Sequence, residues 1–186
     1  MNSADSASAA MEAELVPLQH SPSLEISGGG TAGDLSGATS FSGAVVVPAG
    51  RNLGLVGRFE YSHLEQQGDA IFFATTAWTD MSVATLAARL AERHGDLSSF
   101  AEAGLGYGWV RSRLLFTPYG RGAGVVYGQL DFTDNRGYFC PTFGLGVSWH
   151  PGGAPVGVLG EARMLTFVGP ESAHVVAWRV GLALGG

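Results

Sequence analysis

From Ser23 onward the chain alternates with a period of two, and the two alternating faces are made of different material. In "APVGVLGEARMLTF", residues 154–167, Val156, Val158, Ala162 and Met164 fall on one side, while Gly157, Leu159, Glu161 and Arg163 fall on the other. A period of two places successive side chains on opposite faces of a β-strand. Three other stretches repeat the contrast. Leu53, Leu55, Phe59 and Tyr61 alternate with Gly54, Arg58, Glu60 and Ser62. Leu105, Tyr107 and Trp109 alternate with Gly104, Gly106 and Gly108, and Val176, Trp178, Val180 and Leu182 alternate with Ala177, Arg179 and Gly181. One face is bulky and aromatic; the other is Gly, Ala and Ser with isolated charges. A soluble barrel would reverse this, with large residues converging inside and charged, β-forming residues turned to water. The interior of a narrow barrel instead requires small residues, and its outer surface can be bulky if it faces lipid.

Composition agrees with that reading. Only 14% of the 186 residues are charged, against roughly 25% in a typical soluble domain. The net charge of −6 argues against nucleic acid as a partner, because nucleic-acid binding needs a basic footprint. A single cysteine, Cys140, excludes an internal disulfide, no metal-ligand spacing surrounds it, and no cofactor motif is present. No apolar run is long enough for a membrane-spanning helix.

The expected strands cover 23–32, 38–48, 52–64, 80–92, 98–112, 137–149, 155–167 and 173–184. Soluble strands average about 5–6 residues, whereas a tilted strand crossing a bilayer needs about 9–11. The connections alternate in length. "PAGRN", "RHGDL" and "HPGGA" are tight; 65–79 and 113–136 are long and fall at the opposite end. That asymmetry is the one between short periplasmic turns and longer extracellular loops. Two stretches admit a second reading: 80–95 is Ala-rich enough for a helix, and 113–128 has the composition for an extra hairpin. Residues 1–22 lack a basic n-region and an apolar h-region, although Ala7-Ser8-Ala9 has the form of a cleavage site; they are read as a flexible tail or signal-peptide remnant preceding a barrel domain at 23–186.

The small-residue face carries Glu25, Glu60, Glu102 and Glu161 against Arg58, Arg89, Arg163 and Arg179. Buried charges must be paired, so these eight are expected to form an interior ion-pair network. Tyr61, Trp109, Trp149, Phe167 and Trp178 are expected to face the lipid interface. His63, with Ser62 and Glu65, is the only His/Ser/acid cluster, and neighbours in a strand point apart, so catalysis is not expected there.

"FAEAGLGYGW" (100–109), "PTFGLGVSW" (141–149), "GVLGEARMLTF" (157–167) and "AWRVGLALGG" (177–186) resemble strands of the eight-stranded outer-membrane β-barrel family, whose members include the outer-membrane protein A transmembrane domain. The resemblance covers about residues 23–186 and implies an all-β, eight-stranded antiparallel up-and-down transmembrane barrel in the bacterial outer membrane. Together with the residues, it gives the expectation of a monomer in contact with outer-membrane lipid, with a closed polar interior, a structural or interaction role through extracellular loops and no catalysis. Two alternatives are a soluble lipocalin-like barrel binding a small apolar ligand and an outer-membrane lipid-modifying enzyme.

Overall fold

The computed structural model describes residues 21–34, 36–69, 73–118, 130–169 and 172–185. Eight antiparallel strands follow one another around a closed barrel: β1 (Ser23–Gly33), β2 (Thr39–Pro48), β3 (Leu53–Asp69), β4 (Phe73–His94), β5 (Leu97–Pro118), β6 (Leu130–Trp149), β7 (Val156–Phe167) and β8 (Ala173–Leu184). Each strand pairs with its sequence neighbours, and β1 closes on β8 through Leu24↔Leu184 to Gly33↔Val175. Closure removes the sheet edges within the barrel, which is what allows strands to cross a bilayer with their backbone groups satisfied.

The segment 80–95 lies in and just beyond β4, a strand and not a helix. Its alanines serve both faces: Ala87 packs inside with Ala44, Val46 and Val56, and Ala84 stands opposite Tyr107 in the outward row. Tight turns close the lower end, the end that also carries Ser23 and Leu184. Gly95 takes φ 61°, a left-handed turn position that favours glycine. A short 3-10 turn, Pro151–Gly153, links β6 to β7.

The upper end departs from expectation. The described residues of the expected loops at 65–79 and 113–136 are strand: β3 and β4 run on through Glu65↔Trp78 to Asp69↔Ala74, and β5 and β6 through Arg113↔Thr133 to Phe116↔Leu130. β4 and β5 are 22 residues each, whereas β1 and β2 are 11 and 10. Above the barrel rim both faces of these strands meet solvent, so the hydrophobic alternation that marks a strand in sequence is lost there while the backbone ladder continues. The proposed hairpin at 113–128 and the tail at 1–22 fall mostly outside the described residues.

Candidate functional site

The barrel wall turns its bulky residues outward. Leu55, Phe59, Leu86, Leu105, Phe143, Leu145, Val180 and Leu182 are all exposed, as are Val156, Val158 and Met164 from the stretch 154–167. The outward row of β4 from Ser82 to Leu90 carries no charge. A continuous apolar surface of this kind is far larger than the isolated patches that soluble monomers expose, and an outward apolar band is the lipid-facing surface of a membrane barrel.

The eight charges proposed from sequence all point inward and are all buried. They come together from six strands. Arg58 reaches Glu161 at 2.8 Å, Glu102 at 3.3 Å and Glu25 at 3.4 Å. Arg89 bridges Glu25 and Glu102 and stacks on the Phe100 ring at 4.0 Å. Arg179 pairs with Glu60, and with Glu161 at 3.2 Å. Arg163 contacts Glu102 and has its Nε 2.7 Å from Glu60, a close charge contact whose angle falls short of a hydrogen bond. Hydroxyls take up several further donors and acceptors: Arg58 donates to Ser42, Arg163 to Thr142 and Arg179 to Ser40, each at 2.9 Å, and Ser27 donates to Glu161 at 3.0 Å, while Arg58 Nε has no hydrogen-bond partner among the described residues. Charged hydrogen bonds of this density are what four buried guanidiniums need to offset their lost hydration. The glycines opposite make the room. A Cβ at Gly146 would stand 2.2 Å from the Phe100 ring, and one at Gly108 would stand 2.5 Å from the Phe167 ring.

Above the charges lies an apolar layer. Met81, Val83, Cys140, Leu165, Phe167 and Val175 are buried together, with Val110, Tyr138 and Ala173 packed against them. This corrects the expectation for Phe167. It is 2% exposed and sits edge-on to Tyr138 at 5.9 Å, inside the barrel and away from lipid. The signal was present in the sequence, since residue 167 shares parity with Glu161 and Arg163. Tyr61, Trp109, Trp149 and Trp178 do face outward. Tyr61 stands at the upper rim and donates a hydrogen bond to Asp80 at 2.7 Å; Trp109 shares its row; Trp149 is at the lower end. Trp178 lies midway along β8, where its ring covers Gly30.

Beyond the rim, β3–β6 rise as a four-stranded sheet. β2 pairs with β3 only up to His63, and the β7 ladder with β6 begins at Thr142, with one further bridge at Phe139↔Val168. The flanking edges of the raised sheet, 64–69 in β3 and 130–138 in β6, therefore have no neighbouring strand among the described residues. The outer face of the sheet carries a cation–π contact between Arg113 and Trp78 and a forked ion pair from Arg113 to Asp131. That pair holds the Asp131 carboxyl below its ordinary range, first through the hydrogen bond from Arg113. Ser62 is buried inside while His63 faces out and pairs with Asp80 at 2.7 Å, so the one His/Ser cluster does not assemble. Among the described residues, no group of three or more His, Cys, Asp or Glu is placed to hold a metal.

No family model and no curated protein matches the chain. Solved structures do. One is Ail, the attachment invasion locus protein of Yersinia pestis, with TM-score 0.52 and 13% identity over 88% of this chain and 95% of that one. Another is the N-terminal β-barrel domain of Pseudomonas aeruginosa OprF, with TM-score 0.54 and 9% identity over 90% of this chain and 98% of that one. The chain has the fold of the small eight-stranded outer-membrane barrels. A second Ail structure, at TM-score 0.54 and 12% identity over 88% of this chain and 95% of that one, holds the heparin analogue sucrose octasulfate. For an outer-membrane-type barrel, the tight-turn end with both strand termini corresponds to the periplasmic side and the raised sheet to the outside.

Proposed function

We propose that this protein is a monomeric barrel of the bacterial outer membrane, without catalytic activity, that acts by holding the β3–β6 sheet above the membrane for interaction with surface or extracellular partners. The observation that carries the reading is the pairing of an outward apolar belt with eight charges that turn inward at the level of that belt. The eight interior charges serve as the polar core of a barrel without a wide pore, and four Arg balance four Glu. Along 64–69 of β3, where no strand among the described residues lies alongside, the raised sheet favours partners that can add a strand or lie along a sheet edge. The fold-level likeness to Ail and OprF agrees with outer-membrane residence.

Expressed in a Gram-negative host behind a secretion signal, the full chain should fractionate with the outer membrane and require detergent for extraction. It should migrate differently in gels before and after boiling. A cysteine placed at Thr133, on the outer face of the raised sheet, should label on intact cells with a membrane-impermeant reagent. A chain that is monomeric and soluble without detergent overturns the proposal.

A further inference from the structure

Where the raised sheet meets the short loops, the upper mouth of the barrel forms a cavity of about 290 Å³. Its floor is the top of the apolar layer: Val110, Tyr138, Phe167 and Val175. One step higher, the lining changes character. Thr79 and Ser112, whose hydroxyls are 3.5 Å apart, stand beside Asp134, Arg136 and Asp34. Arg136 Nε is tied to Asp134 at 2.7 Å, and Asp34 accepts a hydrogen bond from the His174 backbone N–H at 2.6 Å. Higher still on the concave side of the sheet, Phe116 and Phe132 meet edge to face at 6.1 Å, with Phe132 more than half exposed.

We infer that this cup is a binding site for a single pyranose ring, neutral or amino-substituted. A sugar ring offers an apolar C–H face and a fringe of hydroxyls, and the cup offers an aromatic-bearing floor and a fringe of hydroxyls, carboxylates and one guanidinium. The volume lies at the lower bound of small-molecule pockets, which run from roughly 300 Å³ upward, so one ring fits better than several. Carboxylates accept from sugar hydroxyls, and the serine and threonine can donate as well as accept. The charge of the lining selects among sugars. Two carboxylates face one guanidinium that already serves one of them, so sulfated or phosphorylated sugars meet repulsion. This rests on the orientation proposed above, which puts the cup outside the cell.

The test uses the full chain folded in detergent micelles, with NMR detection of the Tyr138 and Phe167 ring signals. Probes are galactose, N-acetylglucosamine, glucosamine, sulfated galactose, and cyclohexanol as a ring without the hydroxyl fringe. The expected result is saturable shifts with at least one neutral or amino sugar, and binding weakened about tenfold or more for both the sulfated sugar and cyclohexanol. Asp134→Ala and Ser112→Ala, on the open rim, should each weaken the same sugar by about tenfold, while Tyr138→Ala abolishes binding. Heat-modifiable migration confirms that each variant is folded. The inference is overturned if no sugar gives a saturable shift, if sulfated galactose or cyclohexanol binds as well, or if the rim variants bind unchanged. Because the titration is done on isolated barrels, its failure leaves the membrane assignment standing, and failed membrane fractionation leaves the titration interpretable.

Discussion

Glu161 is held by Arg58, Arg179 and Ser27 from three other strands, and not by Arg163, its neighbour two residues on. Replacing it with alanine leaves two buried guanidiniums short of a carboxylate. Removing one member of a buried ion pair generally costs about 3–5 kcal/mol, mostly as the penalty on the partner left behind. Glu161→Ala should therefore lower the unfolding free energy measured by urea titration in lipid vesicles by that order, with Glu161→Gln losing less. An unchanged midpoint would contradict an interior held by these pairs. Asp131 makes the opposite kind of case, at the surface. Its carboxyl is depressed by Arg113, so its contribution is present above the unfolded carboxylate range and is lost as pH falls through the lower, folded value. NMR titration should place the Asp131 midpoint below that of a free aspartate, and Arg113→Ala should move it back up. Being fully exposed, the pair should leave global stability almost unaffected.

At the level of strands, glycine decides how the inner face fits. Gly146 lies under the Phe100 ring that stacks on Arg89. Gly146→Ala should push that ring off the guanidinium and destabilise the barrel by roughly 1–3 kcal/mol, the usual cost of overpacking, read in the same urea titration. The strand character of β3, β5, β7 and β8 was legible in the sequence because lipid and interior impose opposite demands on alternate residues. The same parity placed all eight charges inward. Three things were not legible. Which Arg meets which Glu depends on barrel closure and stagger, which no single strand encodes. The apolar layer of Met81, Leu165, Phe167 and Val175 was not anticipated, and Phe167 was expected at the lipid interface, because height along the axis is invisible until the strands are in register. The upper halves of β3–β6 carried no alternation to read. Their excess length yields its own expectation: replacing residues 65–79 and 112–135 with short turns should leave a barrel that still folds and still shifts on boiling.

For the whole molecule, the interior carries the buried charges with an apolar layer above them, and the proposed role needs no wide pore through either. Purified protein in planar bilayers should give no steady unitary current steps; regular open-channel steps from the intact chain would contradict a closed interior. The raised sheet adds a constraint on how such a surface protein can diversify. In a flexible loop, an inserted residue is absorbed locally. In β5 above Trp109, one inserted residue would exchange the two faces for every position up to the tip, turning Arg113 toward the cup and Leu114 toward the outside. Changes in length there are tolerated in twos, or together with a bulge. Homologues that vary above the rim are therefore expected to differ by substitution and by even-numbered insertions, a parity rule that alignments of this region can test.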